Sequence, residues 1–151
     1  MSIDSYFKNI EISNELSKAI AIAANLHSSQ LDKGGNPYIL HPLRVMMKMN
    51  DCTSMVVAVL HDVLEDTIFS IHDVKESGFS PIVIEALQSV SRKKDESYME
   101  FIRRCKENEI GRKVKIADIE DNMDLSRIPN PTMTDYDRVK KYEKALKELL
   151  N

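Results

Sequence analysis

Cysteine is nearly absent from this 151-residue chain, which holds only Cys52 and Cys105. Two thiols so far apart in sequence make no zinc motif, and they read as reduced thiols of a cytosolic protein. Long hydrophobic runs are missing as well. No apolar stretch reaches membrane-spanning length, and the first 26 residues mix charges with Ser and Asn instead of forming the apolar block of a signal peptide. A cytoplasmic location with no membrane contact is the expectation. Positive charge is not in excess either. With 21 Lys and Arg against 24 Asp and Glu, the formal net charge is −3, which leaves no basic footprint for duplex nucleic acid. Alternating strand patterns, internal repeats and low-complexity tracts are also lacking.

What remains is helical. Hydrophobic residues at 42% and charged residues at 30% describe a soluble globular chain, read as a single domain over 1–151 with enough length for a real core. Ser13 is placed to cap a first helix whose Leu16, Ala19, Ile20, Ala23 and Leu26 form one apolar stripe. Gly34, Gly35 and Pro37 make Gln30–Pro37 a loop. Pro42 suits the first turn of a second helix carrying Leu43, Val45, Met46 and Met49, because its missing N–H has no partner there. A third helix is expected from Thr53 to Leu64, apolar on most faces and therefore buried. Ile71–Glu76, Pro81–Val90, Tyr98–Lys106, Ile110–Leu125 and Asp135–Leu150 complete the expectation: an all-α, compact single-domain bundle of about seven or eight helices. A second extended loop is expected between Arg127 and Thr134, around Pro129 and Pro131.

The chemistry concentrates at the end of the third helix, in Leu60-His61-Asp62-Val63-Leu64-Glu65-Asp66-Thr67. On a continuous helix His61 shares a face with Glu65, and Asp62 with Asp66. One imidazole and three carboxyl groups crowded at one place repel each other unless a cation joins them. A divalent metal is the simple remedy, with His61 and Asp62 as ligands and the second doublet acting on water or substrate. The chain has four histidines from which to draw another ligand. His41 stands at a helix start fixed by Pro42; His27, near the end of the first helix, either caps that helix or faces the cleft; His72 reads as a surface residue. A further carboxylate is best sought in Val114-Lys115-Ile116-Ala117-Asp118-Ile119-Glu120-Asp121-Asn122-Met123, where Asp118 follows an apolar stretch and Asn122 lies one turn later. A solvent-facing Asp118 on an amphipathic helix fits the spacing equally well.

Three blocks in order, Gly35-Asn36-Pro37-Tyr38-Ile39-Leu40-His41-Pro42, Leu60 to Thr67, and Lys115-Ile116-Ala117-Asp118 to Asn122-Met123, resemble the hydrolase domain of the RelA/SpoT-homologue enzymes. In size the chain is most similar to their stand-alone members, the small alarmone hydrolases of the HD phosphohydrolase superfamily. The resemblance runs from about Ala23 to Asn122, and Arg138 and Tyr142 fit its last helix. It implies an HD-domain bundle and a single Mn²⁺ held by His41, His61, Asp62 and Asp118, other divalent transition metals being compatible with such ligands. It further implies that Glu65 and Asp66 activate and guide the attacking water, and that Lys33, Tyr38, Asn122, Arg138 and Tyr142 bind substrate. The implied partner is a phosphorylated nucleotide and the implied reaction is removal of the 3′-pyrophosphate of a (p)ppGpp-like alarmone in the stringent response.

One departure bears on substrate. The family's Arg-Lys pair before the Gly-x-Pro-Tyr block is here Asp32-Lys33. An Asp offers no planar cation to stack on guanine and repels phosphates, whereas Lys33 still meets a phosphate. Rival expectations follow: a phosphatase of another nucleotide such as ppApp, NADPH or a nucleoside monophosphate, or a non-catalytic nucleotide sensor, whose mark would be a broken ligand set. The length leaves no room for a synthetase half. Oligomeric state has no signature in the sequence.

Overall fold

Helix boundaries follow the capping chemistry closely. The computed structural model describes residues 14–151. The first helix, α1 (Glu15–Leu26), is capped by Asn14, whose side chain accepts a hydrogen bond from the Ser17 amide at 2.8 Å. Ser13, the expected cap, lies outside the described residues. Ala19 and Ala23 are fully buried on α1, and small side chains there let it lie close against α3. The Gln30–Pro37 segment is a loop, closed by an isolated bridge between Leu31 and Pro37.

The helix α2 (Leu40–Met47) opens at His41-Pro42, as expected, and buries His41, Pro42, Val45 and Met46. Asp51 caps α3 (Cys52–Leu60), where Val56, Val57, Ala58, Val59 and Leu60 are all buried. A helix apolar on every face belongs at the centre of a bundle. It packs against α1, α2, α6 (Pro81–Val90) and α8 (Glu109–Met123).

The expected third helix does not continue to Leu64. It ends at Leu60, and after a turn at His61-Asp62 a single helical turn, α4 (Val63–Asp66), follows. The His61 amide reaches back only to the Ala58 carbonyl, at 3.4 Å, and the His61 ring donates to the same carbonyl at 2.6 Å. The ring thus competes for the helix's own acceptor, which gives the break a local cause. The apolar run continued through Val63-Leu64 and hid it.

Beyond α4 come α5 (Ile71–Glu76), α6, α7 (Tyr98–Lys106), α8 and α9 (Met133–Leu150). Capping boxes at Ser70/Asp73 and Ser97/Glu100 set the starts of α5 and α7. Asp135, expected to open the last helix, instead sits in its first turn and accepts from the Thr132 amide at 2.8 Å. A short 3₁₀ turn, Leu125–Arg127, takes the end of the segment expected as helix to Leu125. The all-α architecture is as expected, and no helix among the described residues is long and apolar enough to cross a membrane. Both cysteines are free, Cys52 exposed and Cys105 buried.

Candidate active site

Three elements deliver four donor groups to one point. The start of α2 brings His41, the break between α3 and α4 brings His61 and Asp62, and the middle of α8 brings Asp118. His41 Nε2 lies 3.0 Å from Asp118 Oδ1 and 3.6 Å from Asp62 Oδ2. His61 Nε2 lies 3.0 Å from Asp62 Oδ2 and 3.3 Å from Asp118 Oδ1. Asp118 is 4% exposed, which settles the open question of its facing: it points into the protein.

The hydrogen bonds around the donors assign their protons. Because the Ala58 carbonyl accepts from His61 Nδ1, the Nε2 lone pair is directed at the carboxylates. That buried nitrogen has no hydrogen-bond partner among the described residues. A lone pair facing carboxylate oxygens needs a cation between them, and two imidazoles with two carboxylates form a shell that suits a divalent transition metal. The residues fit the ion. Without one, protons serve: burial alone would lower the His41 and His61 pKa values, but Asp118 with Asp121 at His41, and Asp62 with Asp118 at His61, raise both. Metal uptake therefore displaces protons.

Supporting groups hold the donors in place. Tyr38 donates its hydroxyl to Asp62 Oδ2 at 2.5 Å; burial, then the Asp62 charge, push the phenol far up, so it stays protonated. Asn122 donates to Asp118 Oδ1 at 2.8 Å, and Lys115 donates to Asp118 Oδ2 at 2.8 Å. The Lys115 ammonium sits 4.9 Å from the centre of the Phe101 ring, with its side chain only 14% exposed.

Three of the four donors, His41, Asp62 and Asp118, line a cavity of about 430 Å³, and His61 lies against them. Glu65, Lys33, Tyr38, Asn122, Arg138 and Tyr142 all line it. The expected stacking of Glu65 over His61 fails, because the helix is broken between them. Instead Glu65 accepts from the Arg92 amide, and burial pushes its carboxyl up. Asp66 does not line the cavity; its carboxyl is raised by burial and then by Asp62, and its backbone carbonyl accepts from Gln30 at 3.0 Å. Of the remaining histidines, His72 is exposed, as expected. His27 is buried at the end of α1, bonded to Gln30 at 2.8 Å and packed 5.0 Å from the Tyr38 ring, a layer behind the donors.

Several lining residues were not singled out from sequence. Arg92, Lys115 and Lys141 line the cavity with Arg138, Lys115 beside the donors through its bond to Asp118. Burial, then the charges of Arg92, Arg138 and Lys115, push the Lys141 pKa down, so the four cations act as one strongly positive group. Lys115 and Asp121 stand three residues either side of Asp118 and share its face, a helical spacing that offered a signal. Arg92 and Lys141 gave none, since they come from separate elements.

Asp32 has a local task. Its carboxylate accepts from the Gly34 amide at 2.9 Å and the Asn36 amide at 2.8 Å, folding the loop over itself. Gly35 follows at φ +83°, a conformation costly for other residues, and a Cβ on Gly34 would stand 2.2 Å from the Arg127 carbonyl. The loop is thereby pressed against the 3₁₀ turn, and together they form the cavity rim.

No protein-family model matches the chain. It is similar to the guanosine-3′,5′-bis(diphosphate) 3′-pyrophosphohydrolase of Aquifex aeolicus, with 35% identity over 82 residues, covering 52% of this chain and 12% of that protein. It is also similar to the bifunctional (p)ppGpp synthase/hydrolase SpoT of Escherichia coli, 35% identical over 95 residues, 60% of this chain and 13% of that one. The chain thus spans about an eighth of the length of these curated relatives. A solved structure of a metazoan ortholog of SpoT, described as hydrolysing ppGpp and playing a role in starvation responses, superposes with a TM-score of 0.74 at 25% identity, covering 93% of this chain and 88% of that one. Relatives, helical architecture and ordered motifs agree, and by all three the chain is similar to the HD-type hydrolase domain of the RelA/SpoT enzymes.

Proposed function

We propose that the chain is a metal-dependent phosphohydrolase that removes the 3′-pyrophosphate from a (p)ppGpp-like nucleotide, with Mn²⁺ held by His41, His61, Asp62 and Asp118. The observation that carries this reading is the cluster of four donor groups, three of which line a cavity that Arg92, Lys115, Arg138 and Lys141 line as well. The activities of the Aquifex, Escherichia and metazoan relatives supply the substrate class. A bound divalent ion supplies Lewis acidity to the attacking water and to the phosphoryl oxygens.

The protein groups do the rest. Glu65 has one carboxylate oxygen engaged by the Arg92 amide and its raised affinity for a proton suits it to take one from water near neutral pH. Asp66, next in the chain, adds a negative charge that raises the Glu65 carboxyl further. Arg92, Lys115, Arg138 and Lys141 receive the negative charge of the pyrophosphate and of the leaving oxygen. Lys33, paired with Asp135 at 3.4 Å and half exposed, reaches phosphates from the rim, while Tyr142 and Tyr38 offer faces to the nucleotide.

A second reading, hydrolysis of another phosphorylated nucleotide, is favoured by one observation: the rim carries Asp32 where a base-stacking Arg is usual, and that carboxylate is committed to its own loop. The test is a panel of ppGpp, pppGpp, ppApp and NADPH with purified protein and Mn²⁺, products resolved by anion exchange. Release of pyrophosphate from ppGpp or pppGpp at the highest kcat/KM supports the proposal. Turnover of none of the four, with metal bound, favours a nucleotide sensor.

A further inference from the structure

The histidine at the start of α2 is held by something more than the donor cluster. His41 Nδ1, the ring nitrogen facing away from His61 and Asp62, lies 2.6 Å from Asp121 Oδ2. Asp121 is 6% exposed, a carboxylate taken out of water and facing the imidazole. Arg44, one turn along α2, grips the same carboxylate with two bonds, Nε to Oδ1 at 2.8 Å and Nη2 to Oδ2 at 3.0 Å. Arg127 adds a third contact, at 3.3 Å, and also donates to the Asp121 backbone carbonyl at 2.7 Å. A two-pronged guanidinium allows a carboxylate one orientation only.

A buried acid on the inner face of a helix needs a reason, and two cations alone do not supply one, since both reach solvent. The Arg44 and Arg127 side chains are each about a third exposed, at 32% and 30%. What makes the site specific is the ring between Asp121 and the donors: Nδ1–H to carboxylate on one side, Nε2 towards Asp118 and Asp62 on the other. The two histidines thus solve one problem in two ways. His61 is fixed through a backbone carbonyl, which is neutral; His41 is fixed through a clamped carboxylate, which is charged.

We propose that Asp121, oriented by Arg44, is a positioning residue for the metal centre: it holds His41 in the Nδ1–H tautomer, aims Nε2 at the ion, and strengthens it as a donor by placing a negative charge behind the ring. This rests on the reading of His41 as a metal ligand. The chemistry is that of a carboxylate–histidine–metal relay, in which the outer acid tunes affinity without touching the ion. Arg44 and Arg127 keep the acid ionised and stop it from swinging in to become a ligand itself.

The experiment is a calorimetric titration of Mn²⁺ into the metal-free full chain, comparing wild type, Asp121→Asn, Arg44→Met and His41→Ala. Asp121→Asn keeps an acceptor for Nδ1–H but removes the charge, and is expected to weaken Mn²⁺ binding about tenfold to a hundredfold. Arg44→Met, which frees the carboxylate to move, is expected to weaken it less than Asp121→Asn does. The unfolding midpoint of each metal-free variant is measured alongside. A lowered midpoint with wild-type Mn²⁺ affinity in both variants makes the cluster merely structural and overturns the proposal. If His41→Ala also binds Mn²⁺ like wild type, the ligand reading fails with it; if His41→Ala loses the ion while Asp121→Asn keeps it, the relay alone fails. Should Asp121→Asn not fold, nitrogen-15 NMR of the Zn²⁺-loaded wild type decides: a proton on His41 Nδ1 is required, and a metal-bound or unprotonated Nδ1 overturns the relay.

Discussion

The base of the cavity and its rim are built on opposite principles. At the base, His41, His61 and Asp118 are each 4% exposed or less, and every one is held by a further group, Asp121, the Ala58 carbonyl and Lys115 with Asn122. At the rim, Leu31 is 68% exposed, Lys33 is half exposed, and the loop is shaped by its own Asp32 and by two glycines. The base is over-determined by the core, so its geometry survives only if many contacts survive. The rim depends on a few local bonds, so its side chains are free to change without disturbing the chemistry.

The largest effects are therefore expected at the base. Asp62→Ala should abolish Mn²⁺ binding and lower kcat/KM by at least roughly a thousandfold, about 4 kcal/mol of transition-state stabilisation. Metal analysis of the dialysed variant checks it. Mn²⁺ at a hundred times its Kd should stabilise the wild type by about 2.7 kcal/mol in thermal unfolding and leave this variant unmoved.

Glu65→Gln sharpens the division within the base itself. The metal should remain, and kcat should fall by about a hundredfold or more because an amide takes no proton. Burial raises the Glu65 pKa, so in wild type at saturating Mn²⁺ kcat is full where the carboxylate is ionised and is lost as pH falls through a value above the ordinary glutamate range. That acidic limb should vanish in Glu65→Gln. Metal loss equal to that of Asp62→Ala would instead make Glu65 a ligand.

In the cationic group, Lys141→Met or Arg138→Met should raise KM by about tenfold, the worth of one charge-assisted contact to phosphate, with little change in metal affinity. Steady-state kinetics at fixed ionic strength separates this from a folding defect. The rim should respond least. Asp32→Asn keeps an oxygen for the Gly34 and Asn36 amides and should change kcat/KM by no more than about threefold. Asp32→Arg removes that oxygen and should loosen the loop, seen as faster amide exchange at Gly34 and Asn36. A large, substrate-selective gain from Asp32→Arg with the loop intact would break the contrast between base and rim.

Most of the elements were legible because their signals are local. Pro42 and Pro81 mark first turns, the Ala stripe of α1 shows its buried face, and the apolar run of α3 announces a central helix. The His61-Asp62 and His41-Pro42 pairs carry their chemistry in adjacent residues. The break at His61 was hidden because Val63 and Leu64 continue the apolar pattern, while its cause is a side chain bonding to its own helix.

Sequence by itself determined that this chain is helical, that His61 and Asp62 stand together in one short motif, and which family it resembles, since periodicity and short motifs are properties of neighbouring residues. Only the tertiary structure decided that Asp118 faces inward, that Asp121 stands behind His41, that Lys141 joins Arg92 from the far end of the chain, and that Asp32 serves its loop. Each of these depends on which helix packs against which, and helix packing is set by the fit of whole buried faces, a quantity no single stretch of sequence contains.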